Sequence, residues 1–330
     1  MMRILLTGSS GWLGRFLAPR LREEGHDLVG LDVAPGLDTH ILGSVADRPL
    51  IDRIFAERGI DAVIHAGALH KPDIARYPAR AFVDVNVTGT LNLLEAAAAA
   101  GNDRFVFTST TSLMVSRAVR DGKGGGARRA AWMDENFGPL EPRNIYGITK
   151  LAAEHLCRLA HRQDGLAVVV LRTARFFPEE DDTHRHLDGS NIKANEFLNR
   201  RLTVEDAAEA HLAALAGAPR IGFGTFVVSA PTPFSPDEVE ALIEDAPAVI
   251  ARHFPQAAEL YARAGWSLPA HIDRVYDPAR AERELGFRCR TDFAAVLEAL
   301  DGGRDLPFVH DPGYVSPKER VLACEDAQRA

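Results

Sequence analysis

Tyr146 and Lys150 stand four residues apart in the run Ile145-Tyr146-Gly147-Ile148-Thr149-Lys150. On a helix that spacing puts a phenol and an ammonium on one face. A phenol ionises at about pH 10, so alone it is a poor base at neutral pH. A neighbouring cation stabilises the phenolate and lowers that value. The pair could then take a proton from a substrate hydroxyl while a hydride leaves the same carbon. The spacing by itself fits a surface helix pair equally well. A hydroxyl donor would have to stand opposite the phenol. Thr108-Ser109-Thr110-Thr111-Ser112, at the end of an apolar strand, offers five, and such runs are also ordinary strand-edge chemistry.

A hydride needs an acceptor, and the chain begins with a motif that could hold one. Gly8-Ser9-Ser10-Gly11-Trp12-Leu13-Gly14 has the spacing GxxGxxG and lies between a predicted strand, 3–7, and a predicted helix, 12–24. Gly8 allows the tight turn, Gly11 lets backbone approach a pyrophosphate, and Gly14 lets helix and strand pack closely. The helix N-terminus offers free N–H groups and positive dipole to phosphates. Asp32 ends the second predicted strand, where an acid accepts hydrogen bonds from the adenosine ribose and repels a 2′-phosphate. That favours NAD over NADP. Arg15 argues the other way, since its guanidinium could receive a 2′-phosphate.

The elements that must position these residues alternate along the chain. Strands are expected at 3–7, 27–31, 61–65, 104–108, 167–171 and 225–229. Helices are expected at 12–24, 49–58, 81–100, 145–162 and 204–215. This alternation predicts an α/β fold, a Rossmann-type doubly wound parallel sheet with helices on both faces. The division expected is a dinucleotide-binding domain over 1–172 and a smaller substrate lobe over 173–330, with about 200–230 returning to the first domain. Residues 117–131, with four glycines among Arg and Lys, read as a flexible basic loop. Residues 178–200 read as polar and irregular. The 330 residues are 46% hydrophobic and 25% charged, an ordinary globular composition. A formal charge of −8 speaks against a nucleic-acid partner. Cys157, Cys289 and Cys324 are isolated and form no metal-ligand spacing, so no metal is expected. No apolar run is long enough for a membrane span, and no leader pattern is visible, which makes the cytoplasm the expected location.

Together these residues resemble the extended short-chain dehydrogenase/reductase superfamily, in its NAD-dependent epimerase/dehydratase group. The resemblance covers nearly the whole chain. Thr7 to Gly14 is similar to that group's cofactor loop, and Val63-Ile64-His65-Ala66-Gly67-Ala68 to the strand and turn beneath the cofactor. Asn86-Val87-Thr88-Gly89-Thr90 resembles a helix segment whose Asn helps fix the active-site strand. Asn144 to Gly147, with Lys150 to Glu154, is similar to the active-site helix, and Leu285-Gly286-Phe287 to a segment before the last helix. The resemblance implies catalysis by Thr110, Tyr146 and Lys150. It implies NAD contacts from Gly8, Ser10, Gly11, Trp12, Leu13, Gly14, Asp32, Val45, Ala66, Gly67, Ala68, Asn86, Thr108, Tyr146 and Lys150. Substrate contacts are expected from Thr110, Thr111, Arg175, Asn191 and Lys193, although Arg175 could instead pair with Glu179 or Glu180. The family commonly forms homodimers through the helices that hold 85–100 and 145–162.

Several positions depart from the group. Gly43-Ser44 replaces a common Gly-Asp at the adenine pocket. Thr111 and Ser112 stand where its dehydratases carry Asp-Glu, so no acid is placed to eliminate water. Phe176-Phe177-Pro178 replaces a Tyr-Gly-Pro run, and the stretch from there to Asp206 is shorter than in nucleotide-sugar epimerases. The expected activity is epimerisation of a sugar or nucleotide sugar by hydride transfer. The alternatives are a dehydrogenase of a sugar or small alcohol and, on the same fold, a non-catalytic nucleotide sensor.

Overall fold

The computed structural model describes residues 1–180 and 187–321. Its main sheet contains β1 (Arg3–Thr7), β2 (Asp27–Asp32), β3 (Ile41–Leu42), β4 (Ala62–His65), β5 (Phe105–Thr110), β7 (Val168–Thr173) and β8 (Phe223–Val228). All neighbours pair in parallel, in the order β3-β2-β1-β4-β5-β7-β8. The first half is a βαβ series wound outward from β1, and the order reverses between β1 and β4, as a doubly wound fold requires. Leu5, Val63, Phe105 and Val168 are fully buried, as expected of strands covered on both faces. The covering helices are α1 (Trp12–Glu23), α2 (Arg48–Arg58), α3 (Ala79–Phe82), α4 (Gly89–Ala99), α6 (Ile145–Asp164) and α8 (Val204–Ile221).

A second hydrophobic cluster forms around Phe197, Phe234, Leu242, Tyr261 and Phe293. It joins α7 (Gly189–Glu196), α9 (Val239–Glu244), α10 (Ala246–His253), α11 (Ala257–Arg263) and α13 (Phe293–Asp301). A short parallel pair, β6 (Ala131–Met133) with β9 (Arg274–Tyr276), borders it. Helix α12 (Ala279–Leu285) carries Leu285 into the core beside the main sheet. Among the described residues, no helix is long and apolar enough to cross a membrane.

Three expectations need correction. The helix expected over 81–100 is three pieces: α3, a π-helical turn at Val83–Thr88, and α4. The wide turn holds the buried Asn86, and a hydrophobic period does not reveal it. Residues 117–131 are ordered by neighbours from far along the chain. They form α5 (Arg117–Asp121), a 3₁₀ turn at Gly122–Gly125, and then β6. The Lys123 N–H donates to Asp273 Oδ1 at 2.9 Å and its Nζ to the Glu244 carbonyl at 3.1 Å. Gly122 has φ +48°, and a Cβ there would stand 2.2 Å from the Asp273 carboxyl carbon. Finally, 178–200 contains α7, whose N-cap Asp188 accepts from the Ser190 and Asn191 N–H groups. It lacks an amphipathic period because Lys193 and Glu196 are themselves buried.

Candidate active site

The glycine turn closes β1 onto α1. Gly8 has φ +74°, and a Cβ there would meet Gly67 N at 2.8 Å and the Ala66 carbonyl carbon at 2.9 Å. At Gly14 a Cβ would lie 2.2 Å from the Gly8 carbonyl oxygen. The turns after β1 and after β4 therefore meet with backbone against backbone. Helix α1 starts at Gly11 with no side-chain cap, whereas α2, α6 and α8 are capped by Asp47, Asn144 and Thr203. Its first N–H groups are thus left for an anion. Trp12 and Leu13 point into the core, and Trp12 Nε1 donates to the Phe176 carbonyl at 3.2 Å. Asp32 Oδ2 accepts from Ser10 N–H at 2.9 Å and Oδ1 from Ala34 N–H at 3.2 Å, which fixes the carboxylate beside the turn. Arg15 lies over the Trp12 ring, 4.9 Å from its centroid. Uncapped helix, crowded glycines and fixed carboxylate fit a dinucleotide with free ribose hydroxyls.

Beneath the turn runs a directed hydrogen-bond chain. Thr90 Oγ1 gives its single proton to the Asn86 carbonyl at 2.7 Å, so it must accept from His65 Nε2–H at 3.1 Å. His65 Nδ1 then accepts from Thr7 Oγ1 at 2.7 Å, and Thr7 Oγ1 accepts from Gly67 N–H at 3.0 Å. Burial, reinforced by the Lys150 charge, pushes the His65 pKa down to about 3, so this imidazole stays neutral. The chain locks the 66–68 turn to the strand below. Asn86 does not fix the active-site strand, as the resemblance implied. It accepts from Leu69 N–H, donates to the Leu69 carbonyl and to Thr149 Oγ1, and so ties the loop after β4 to α6. Val45 packs against Gly89, and its carbonyl accepts from Asn92.

Tyr146 and Lys150 occupy the first turns of α6, which the Asn144 side chain caps through Gly147 N–H at 3.0 Å. Both are buried, at 7% and 3% exposure. Burial raises the Tyr146 pKa to about 12, against a lowering interaction with the Thr110 hydroxyl. Burial also lowers that of Lys150 to about 8. The Lys150 ammonium sits over the Phe107 ring, 4.1 Å from its centroid. Thr110 is 7% exposed and accepts from Ser112 N–H, and Thr111 Oγ1 donates to the Thr173 carbonyl at 3.3 Å. The structure thus brings the Thr110 hydroxyl to Tyr146, with Lys150 one turn further along α6 and its charge felt by His65. Thr108 is directed elsewhere. Its hydroxyl meets His211 Nε2 on α8 at 2.7 Å, while His211 Nδ1 donates to the Ala207 carbonyl.

The expected substrate residues behave differently from one another. Asn191 clamps Ser267, donating to its carbonyl and accepting from its N–H, both at 3.0 Å. Its amide is a lobe-building contact because both polar atoms are engaged within the fold. Lys193 Nζ donates to the Glu179 carbonyl at 2.9 Å and lies 2.8 Å from His310 Nδ1. Arg175 is 4.0 Å from Glu196 Oε1, and its charge also acts on the Glu179 carboxyl. Sequence reasoning missed His70, whose ring centroid lies 5.9 Å from that of Tyr146 and 5.5 Å from that of Phe177. It also missed Asp73, whose carboxylate accepts from His70 N–H and from Lys318. His70 follows a recognisable motif and could have been flagged; Lys318 carries no local signal.

A family model described as the NAD-dependent epimerase/dehydratase family matches residues 4–222. The chain belongs to that family. Its cofactor is NAD. A dTDP-glucose 4,6-dehydratase of Streptomyces niveus is 29% identical over 99% of this chain and 100% of that protein. A UDP-glucose 4-epimerase of Azospirillum brasilense is 30% identical over 52% of this chain and 48% of its own. The chain thus spans about half the length of that epimerase relative. A short-chain dehydrogenase/reductase superfamily protein from Agrobacterium tumefaciens, solved with bound NAD, shares the fold at TM-score 0.64 and 23% identity. That match covers 99% of this chain and 100% of the other.

Proposed function

We propose that this family member is an NAD-dependent sugar epimerase that oxidises a ring carbinol and reduces the ketone from its other face. The observation that carries this reading is the buried set of Thr110, Tyr146 and Lys150 beside an uncapped helix start. NAD, when bound, supplies acceptance and return of the hydride. Gly8, Gly11 and Gly14 would let it approach, the N-terminal turn of α1 would hold its phosphates, and Asp32 its adenosine ribose. Tyr146 takes the hydroxyl proton at its phenolic oxygen, Thr110 orients that hydroxyl, and Lys150 stabilises the phenolate. Relatives named as UDP-glucose 4-epimerases support a sugar or nucleotide-sugar substrate. The full-length dehydratase relative favours elimination as a second reading. Against it, Thr111 and Ser112 place no acid after Thr110, and Thr111 hydrogen-bonds Thr173 instead.

The test is to offer sugars and nucleotide sugars with NAD and to follow both the reduced-nicotinamide absorbance and the sugar products. Isomerised sugar without NADH is the expected result. Accumulating NADH would replace epimerase by dehydrogenase, and a 4-keto-6-deoxy product would replace it by dehydratase. We also assign a homodimer contact to the outer faces of α4 and α6, where Leu91, Ile148 and Leu159 are 36%, 51% and 45% exposed. Light scattering that finds a monomer at micromolar concentration would remove that assignment.

A further inference from the structure

The described residues continue past the lobe that holds α13. From there they run back across the molecule. Phe308 stacks on Phe197, with centroids 5.4 Å apart. The Asp311 N–H donates to the Pro178 carbonyl at 2.9 Å. The Tyr314 ring meets Trp12 edge-on at 5.1 Å, with the Arg15 guanidinium 5.9 Å from the Tyr314 centroid. Lys318 Nζ then bonds Asp73 Oδ2, and Glu319 pairs with Arg76. Pro178, Trp12 and Asp73 lie in the segments that follow β7, β1 and β4. Those strands are parallel members of one sheet, so the segments lie along one edge. Residues 308–319 therefore pass over the edge that carries the glycine turn and the His70–Tyr146 contact.

Two features mark this crossing as a closure rather than as core. From Arg304 to Val321 no residue is fully buried, although Tyr314, Lys318 and Glu319 are each partly covered. Its contacts are the Phe308 and Tyr314 rings laid on the outside of the two cores, one backbone hydrogen bond and two ion pairs, all made by residues that keep part of their surface in solvent. Segments that open to admit ligands come from this low-stability end of a structure.

We propose that residues 306–319 form a strap that closes over the bound dinucleotide and retains it between turnovers, with Tyr314 and Lys318 as its two decisive contacts. The inference rests on NAD occupying the glycine turn. Retention suits chemistry that returns the hydride to the same substrate, because the cofactor never has to leave. Retention by a covering segment is felt mainly in the rate of release.

The experiment measures NADH release from the full-length protein by fluorescence after displacement with excess NAD. Tyr314→Ala and Lys318→Met should each speed release about tenfold, or about 1.4 kcal/mol of retention, and more in combination. Tyr314→Phe keeps the ring and should release like the wild type, as should Val315→Ala at an exposed site on the same segment. In the wild type, NAD should also slow proteolytic cleavage within 306–321. Unchanged release in the double variant, or cleavage indifferent to NAD, overturns the strap while leaving the epimerase reading untouched. Failure of the wild type to bind either dinucleotide overturns both.

Discussion

Two polar clusters are built from the same two elements. Ser109 and Thr110 follow one another on β5, and Lys150 and Glu154 lie one turn apart on α6. Ser109 Oγ donates to Glu154 Oε1 at 2.6 Å, and Arg172 holds the same carboxylate through Nε at 3.1 Å and Nη2 at 2.8 Å. All three residues are at most 6% exposed, and their opposite charges face each other. Thr110, Tyr146 and Lys150 are about as deeply buried, but among the described residues no carboxylate hydrogen-bonds them, and Asp73 and Glu154 act on Tyr146 and Lys150 only through their charge. Burial there drives the phenol up and the ammonium down, to about 12 and about 8. A buried charge with its partner in place fixes structure; a buried phenol and ammonium whose charged forms are disfavoured wait for a charge that a ligand can bring.

Tyr146→Phe removes the proton acceptor and should lower turnover by about 10²–10⁴, with NAD affinity nearly unchanged by equilibrium titration. Near-normal turnover would mean that the proton leaves by another route. The second cluster should answer in the opposite currency. Arg172→Met leaves Glu154 buried without its cation, which should cost about 3–5 kcal/mol of stability in denaturant titration. Turnover below the unfolding midpoint should hold. Lost turnover at an unchanged midpoint would merge the clusters into one working unit.

The difference between these clusters also explains what could be read from residue order. The glycine turn and the Tyr146–Lys150 spacing are local patterns, each set by one turn or one helix face, and the structure keeps both where the spacing puts them. The alternation of apolar runs was enough to reach the doubly wound sheet. The Glu154–Arg172 pair was not legible, because it joins α6 to β7 through a contact that neither element signals. Asn191 and Lys193 looked like open polar groups only because their partners, Ser267 and His310, come from distant loops. The Thr108 hydroxyl likewise meets a partner, His211, that α8 brings from far along the chain. The π-helical turn at Val83–Thr88 escaped because a widened turn leaves the hydrophobic sequence of a helix nearly unchanged.

The subtlest effect concerns how the poised cluster answers its cofactor. Without a ligand, the Tyr146 phenol is held near 12 by burial, with Thr110 opposing that rise. A positive charge brought close favours the phenolate, so the oxidised, cationic nicotinamide should move the ionisation to lower pH, whereas the neutral reduced ring should not. A shift of about one unit corresponds to about 1.4 kcal/mol of differential interaction. The phenolate absorbance of the wild type, minus that of Tyr146→Phe, isolates this one residue. Titrated alone, with NAD, and with NADH, the three curves should order as NAD lowest and the other two together. Lys150→Met should raise the NAD curve by removing the second cation. Burial pushes the ammonium down to about 8, so its own support for the phenolate should weaken as pH rises through that value. Equal NAD and NADH curves would show that Tyr146 does not sense the ring charge, and the poised cluster would then differ from the Ser109–Glu154–Arg172 cluster only in lacking a salt bridge.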